Sequence, residues 1–254
     1  MVDYLKALKR PFSDLDKFIV GIILNLPIPL VKLVSNTIVQ GYVLRCGRTA
    51  YEKKYELPSW KDVIQLWIRG FLSGLIALIY SLPSLIILFF FLPTILNDVV
   101  SDPFNVLYNT INPFYFINTY GYAIVIAWLF SLITSYIIPV ALMRWTVEDD
   151  IKNAFELRTI FENVLTKKYI VVRSITLLIT YAAVILFLAI NFAIFGDVKN
   201  TTTWNTVSLL LPAIGILVIS SIKDYIISIF SYSLYGDVLG EIKKDGREHS
   251  RKPK

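Results

Sequence analysis

The sequence predicts an all-α membrane protein: a polytopic transmembrane helical bundle of four full spans plus an N-terminal re-entrant hairpin, with helix extensions into the cytosol. The first observation is composition, because 56% of the 254 residues are hydrophobic and 17% are charged, whereas soluble domains have about half and about a quarter. The second is distribution. The charges fall in islands between long apolar runs, as expected where the backbone must be hydrogen-bonded within helices in lipid. The third is the alternation along the chain of loops rich in lysine and arginine with loops that contain one such residue or none.

The four spans are the apolar stretches that reach the length of about 20 residues that a helix needs to cross a bilayer. Their ranges are 63–96, 120–143, 170–195 and 207–235. We interpret residues 1–254 as a single integral membrane domain that ends in a charged cytosolic tail, residues 236–254.

A fifth apolar stretch, residues 18–44, is interrupted by Asn25-Leu26-Pro27-Ile28-Pro29. Two prolines two residues apart remove backbone donors and clash with the preceding turn, so a straight helix cannot run through them. The stretch either crosses the membrane once or enters it and returns. Each arm of a returning hairpin would reach about halfway across a hydrocarbon core of about 30 Å.

The lysines and arginines decide between these two topologies. Of the 25 cations, 22 fall in the N-terminal segment, two loops and the tail, and one, Lys199, falls in a loop on the opposite side. Cytoplasmic loops carry the excess of basic residues, which predicts a cell-membrane protein with both termini in the cytoplasm. A single crossing would leave four cations outside, so the re-entrant hairpin is favoured. The basic charge then faces anionic lipid headgroups on the cytoplasmic side of the bilayer, and nucleic-acid binding has no further support.

Three ionisable residues lie within apolar runs: Lys32, Lys223 and Asp224. Charges inside a membrane are costly and usually face a partner or water. One interpretation is a polar site between the hairpin and the last helix, in which Lys32 pairs with Asp224. The other is that both lysines extend to the interface and that residues 223–224 already lie at the inner interface, because the last helix is long.

Small residues predict where helices approach closely. Gly70-x-x-x-Gly74 in the first full span gives one face without side chains, which lets two backbones pack together. We expect this face to hold the bundle together.

The two basic loops resemble one another and suggest an internal repeat. Arg45 and Arg144 begin them, and each loop contains a pattern typical of a capping box, Ser59-x-x-Asp62 and Thr159-x-x-Glu162. The repeat predicts that membrane helices continue into the cytosol, stop at a tight turn and restart. Chance similarity of helix starts is the alternative.

The sequence contains no pattern of an enzyme, a metal site or a cofactor site. It has no nucleophile elbow, phosphate-binding loop, dinucleotide fingerprint or Cys/His cluster. The lone Cys46 excludes an internal disulfide and is either acylated or inert, and the one histidine, His249, lies in the tail. We interpret Glu148-Asp149-Asp150 as a solvated, partly neutralised helix end.

Motifs in the first third of the chain resemble a known family. In order, they are Pro11-Phe12-x-Asp14, Gly41-Tyr42-x-Leu44-Arg45, Leu57-Pro58-x-Trp60 and Ile79-Tyr80-x-Leu82-Pro83. They are similar to prokaryotic, mainly archaeal, membrane proteins grouped as domain of unknown function 4013. The resemblance covers residues 3–87, and beyond them only the layout of hydrophobic helices is similar. It implies a helical membrane protein and supplies no catalytic residue.

Two functions are compatible with these patterns. The first is a non-enzymatic protein that organises, anchors or interacts with other membrane components, including a possible membrane protein partner. The second is a small transporter or channel subunit with its polar site between the hairpin and the last helix; broken helices and a repeat favour it, whereas the scarcity of polar residues in the spans does not.

Overall fold

The computed structural model describes residues 2–26, 31–101, 113–195 and 206–251, and these residues form α-helices and short 3-10 turns without a strand. The helices are α1 (Tyr4–Lys9), α2 (Leu15–Asn25), α3 (Lys32–Tyr51), α4 (Val63–Ser101), α5 (Pro113–Glu148), α6 (Leu157–Val164), α7 (Lys167–Phe195) and α8 (Thr206–Arg251). The 3-10 turns are Arg10–Phe12 and Ile151–Ala154. The all-α prediction is confirmed for the described residues.

Four helices are long and apolar enough to cross a membrane, which confirms this part of the sequence prediction. The candidate spans are Val63–Phe91, Gly121–Glu148, Lys167–Ala193 and Ile214–Gly246. The last differs most from its predicted range, because α8 continues through the charged tail as far as Arg251. The tail begins as a packed helix, since Asp237 and Val238 are fully buried.

The stretch predicted as a hairpin forms two helices that pack against each other. Asp14 caps α2 by accepting a hydrogen bond from the backbone N–H of Lys17 at 3.2 Å, as an N-cap aspartate does. α2 ends at Asn25, two residues before the first proline, where a proline disfavours helical geometry for the residue preceding it. Pro27 and Pro29 themselves lie outside the described residues.

The two predicted capping boxes are wrong. α4 begins at Val63, directly after Asp62, whose backbone has a φ of 62°, so Ser59 lies outside the helix. α6 begins at Leu157, so Thr159 is inside its first turn, and its hydroxyl faces the carboxylate of Glu156. Both motifs have the spacing of a cap, but neither hydroxyl lies where the helix starts.

The chain divides into two compact units, residues 1–74 with 139–254, and residues 75–138. The second unit consists of the later part of α4 and the earlier part of α5. It contains small buried side chains on α5, Ala123 and Ala127. The first unit contains the remaining described helices.

The core of the first unit is built around α3. Its buried members are Val39, Tyr42, Val43, Cys46, Leu57, Leu66, Tyr225 and Ile229. Tyr42 stacks on Trp60 with ring centroids 3.7 Å apart, and its hydroxyl donates to the Pro58 carbonyl at 3.0 Å. This contact folds the segment between α3 and α4 back onto α3. The helix α3, which includes the second arm of the predicted hairpin, is therefore also the centre of the core of the first unit.

Candidate functional site

Arg10 is a buried cation that joins three parts of the first unit. Its side chain is 1% exposed. Nη1 donates to the Cys46 carbonyl at 2.6 Å and to the Ser233 hydroxyl at 3.0 Å. Nη2 donates to the Glu56 carbonyl at 3.0 Å and to the Thr49 hydroxyl. A guanidinium group with its fixed fork of donors suits such a set of separate acceptors. The N-terminal segment is thereby fixed to α3 and α8.

Asp237 is the matching buried anion. Its carboxylate accepts a hydrogen bond from the backbone N–H of Asp3 at 2.8 Å. Lys53 and the Tyr55 hydroxyl donate to the same carboxylate, and Lys53 also donates to Glu241 at 2.6 Å. These contacts connect the start of the chain, the segment after α3 and the far part of α8.

The pKa values of two partners reflect this environment. Burial acts to lower the pKa of Lys53, but its hydrogen bonds to Asp237 and Glu241 outweigh that effect and raise the pKa above its usual value. Burial, followed by the hydrogen bond to Asp237, raises the pKa of Tyr55. Lys53 therefore stays charged and Tyr55 stays a neutral donor at physiological pH.

Sequence reasoning missed this network. In the sequence, Arg10 was counted only among the cations that indicate the cytoplasmic side, and Asp237 was assigned to the charged tail. The signal for Asp237 was present, because Leu234, Val238 and Leu239 continue an apolar face at helical spacing around it. Arg10 has no comparable signal, since a cation next to a proline in an N-terminal segment is also typical of a solvated turn.

Glycines set the distances between α3 and its neighbours. A Cβ on Gly70 of α4 would lie 1.7 Å from the Thr37 carbonyl oxygen of α3. One on Gly41 would lie 1.9 Å from the Leu66 carbonyl oxygen of α4, so the two backbones touch here. The structure places Gly74 differently, because a Cβ there would meet no described atom within 4 Å. Of the two glycines expected to form a packing face, only Gly70 lies against another described helix.

The hairpin and α8 meet through a polar contact and a close packing contact. The Asn25 side-chain amide donates to the Ser221 carbonyl at 2.9 Å, and the Ser221 hydroxyl donates to the Asn25 carbonyl at 3.2 Å. One helical turn away, a Cβ on Gly21 would lie 2.0 Å from the Tyr225 ring. These contacts satisfy backbone groups at the end of α2, where helix carbonyls lack partners.

The predicted pair of Lys32 and Asp224 is not formed. Asp224 pairs with its neighbour Lys223 at 3.0 Å and has an exposed side chain. The Lys223 ammonium group also lies 4.8 Å from the centre of the Phe187 ring of α7. Lys32 is exposed at the first turn of α3. The spacing of these residues along the chain could not specify which way α8 turns its charges.

The acidic residues at the end of α5 are held by cations. Asp149, with a backbone φ of 53°, pairs with Arg48 at 2.5 Å and with Arg69 at 2.7 Å. This triad joins the ends of α3, α4 and α5. Asp149 is half-exposed, and exposed pairs contribute little to stability.

Cys46 is unsuited to modification. The thiol is free and the side chain is fully buried, and burial raises its pKa to about 11. Among the residues that the structure describes, no three His, Cys, Asp or Glu side chains are close enough together to hold a metal ion.

These features define an all-α protein with four candidate membrane-spanning helices and a buried polar network that joins the N-terminal segment to α3 and α8. The chain belongs to the family of proteins of unknown function designated DUF4013, whose sequence profile matches residues 20–195. The match confirms the resemblance over residues 20–87 and extends it to Phe195, the last residue of α7, while the motif Pro11-Phe12-x-Asp14 lies outside the matched residues. No curated protein and no solved structure matches the chain.

Proposed function

We propose that this protein is a non-enzymatic, multi-pass protein of the cell membrane that anchors or organises other membrane components through its N-terminal hairpin. The observation that carries the proposal is that polar contacts fix the hairpin to α8 while its outer surface is apolar. The hairpin is held to α8 through Arg10 at its base and through Asn25 near its tip. The outer surface of α2 and of the start of α3 exposes large apolar side chains. They are Leu15, Ile19, Val20, Ile23, Val31, Leu33 and Val34.

The length of α2 and the charges near the end of α3 support a hairpin that enters one leaflet and returns. α2 has 11 residues, which corresponds to about 16 Å against a hydrocarbon core of about 30 Å. α3 is absent from the candidate spans, and Arg45 and Arg48 lie near its end. Such a hairpin displaces lipid from the cytoplasmic leaflet and offers its apolar surface to a neighbouring membrane protein.

Photo-crosslinking in cells tests the proposal. A crosslinking amino acid at Leu33, whose side chain is 83% exposed, should give the same protein adduct in repeated purifications. A crosslinker at the exposed Arg158 is the control and should not give this adduct. The adduct should also be lost in Gly21→Leu, because a side chain there collides with the Tyr225 ring and displaces the hairpin. Adducts with lipid alone at Leu33 would contradict the proposal.

The transporter alternative has lost its main support with the pair of Lys32 and Asp224. Solute flux through purified protein in liposomes that disappears in Lys223→Met would favour it again. The archaeal character of the family stays a prediction.

A further inference from the structure

We propose that a cavity between the ends of α3, α5, α6 and α8 binds an anionic, phosphate-bearing amphiphile. The cavity has a volume of about 440 Å³, within the range of about 300–1,000 Å³ of small-ligand sites. Its lining lies entirely in the first unit. This inference is independent of the proposed partner of the hairpin, because none of the lining residues belongs to α2 or to the exposed surface of the hairpin.

The cavity has a basic, hydrogen-bonding part. The charged residues of the lining are Arg144, Lys243 and Glu148. Lys243 donates a hydrogen bond to Glu148 at 3.1 Å and has Tyr51 as a second partner, so one of its three ammonium hydrogens remains for a ligand. Tyr51, Thr159 and Asn163 add neutral polar groups to the lining. An oxyanion is the ligand group that complements this set of donors.

Arg144 supplies the second observation that points to a ligand. Its side chain is 9% exposed and pairs through Nη2 with Glu156 at 2.7 Å. Nη1 is shielded from solvent and has no hydrogen-bond partner. A buried, unsatisfied donor on a charged group destabilises a folded protein. A small rotation of the guanidinium group towards the cavity would give Nη1 a phosphate oxygen as acceptor.

An apolar part of the lining selects an amphiphile over a bare ion. Val147, Leu239 and Ile242 form it. Val147 and Glu148 lie at the end of the candidate span of α5, and Leu239–Gly246 lie at the end of that of α8. We infer that these ends of the two helices face the headgroup region of the cytoplasmic leaflet. A phospholipid of the cytoplasmic leaflet is therefore the expected source, and a free phosphate ester is the second source of the same chemistry.

A matched pair of glycines in α8 allows the cavity to be filled without removing a charge. Gly246 lines the cavity, and a Cβ there meets no described atom within 4 Å. Gly215 has equally open surroundings in the same helix but lies outside the cavity. Leucine favours a helix over glycine, so both variants should fold, with melting temperatures at least equal to that of the unmodified protein.

The test measures binding of two probes, short-chain phosphatidylglycerol and glycerol 3-phosphate, to the purified full chain in an uncharged detergent by isothermal titration. Gly246→Leu should weaken binding of phosphatidylglycerol about tenfold or more, the loss expected from about 1.4 kcal/mol of contacts, and Gly215→Leu should not. Lys243→Gln should also weaken it, compared with Lys167→Gln as an exposed-cation control.

Each outcome is decisive. Binding of phosphatidylglycerol alone, lost in Gly246→Leu, identifies a leaflet lipid as the ligand. Equal binding of both probes, lost in the same variant, identifies a free phosphate ester. Absence of binding by either probe, or equal affinities for Gly246→Leu and Gly215→Leu, would overturn the proposal.

Discussion

Asp237 connects the start of the chain and the segment after α3 to α8. It is fully buried and accepts hydrogen bonds from the backbone of Asp3, from Lys53 and from Tyr55. In Asp237→Asn the shape is kept, but Lys53 and Tyr55 lose a charged acceptor. We expect the free energy of unfolding to fall by about 2 kcal/mol, the scale of a hydrogen bond to a charged group, measured as a lower melting temperature in detergent.

Asp245→Asn is the control for this prediction, because it removes a carboxylate from the same helix. Asp245 pairs with Lys168 at 2.7 Å, and both side chains are more than 40% exposed. A surface pair contributes less than about 1 kcal/mol, so the melting temperature should change little. Equal effects of the two substitutions would contradict a structural role for the buried network.

Cys46 gives a second prediction at this scale. Because the thiol is fully buried and its pKa is about 11, almost no reactive thiolate exists at pH 8. The folded protein should not react with a thiol reagent such as iodoacetamide at that pH, whereas the denatured protein should react fully. A lipid-modified or readily alkylated Cys46 in the folded protein would show that this part of the core opens.

The segments in which single charged residues fall could be predicted from the sequence, but whether each of them contacts a buried or an exposed partner could not. Basic residues such as Lys53 were assigned to the correct loops by counting. Counting cannot distinguish Lys53, which reaches a buried carboxylate, from Lys54, which pairs at the surface with Glu52. Lys53 reaches a carboxylate 184 residues away along the chain, and no local spacing encodes such a tertiary contact.

The contact between α3 and α4 gives a prediction for helical elements. Gly70→Ala places a Cβ 1.7 Å from the Thr37 carbonyl oxygen, so the two helices must separate. We expect a loss of about 1–3 kcal/mol in the free energy of unfolding, as for other overpacked contacts. Gly74→Ala is the control, since its surroundings are open, and the better helix propensity of alanine should leave the melting temperature unchanged or higher. A lower melting temperature for Gly74→Ala alone would contradict the observed packing.

Elements were easier to predict than their ends. Long apolar runs identified all four candidate spans, because hydrophobicity over about 20 residues is a property of the run itself. Helix caps depend on single residues, and the capping residues of α4 and α6 were predicted wrongly, although the predicted range 63–96 begins at the first residue of α4. Asp62, with its φ of 62°, is the actual boundary of α4. The break after Asn25 was predicted because two prolines restrict the backbone locally.

At the scale of the whole molecule, helices of the first unit are joined mostly at the ends rich in cations. Arg48 and Arg69 share Asp149, and Lys243 reaches Glu148. The basic residues that indicate the cytoplasmic side by their number thus also form many of the connections between helices. A single orientation in the membrane would keep these pairs in the water-exposed interface, where paired charges are least costly.

Thiol labelling of intact cells tests that orientation and, with it, the hairpin. In a Cys46→Ala background, cysteines introduced at Ser101, Asn109 and Lys199 should react with an impermeant reagent added outside. Cysteines at positions on the basic side should react only after the cells are permeabilised. These positions are Ser13, Lys54, Lys152 and Lys244. The reason is that 22 of the 25 lysines and arginines fall in segments predicted to lie on one side of the membrane, and an excess of these residues is typical of cytoplasmic loops. Reaction of the cysteine at Ser13 alone among the protected positions would mean that the first apolar stretch crosses once, and the re-entrant hairpin would be wrong.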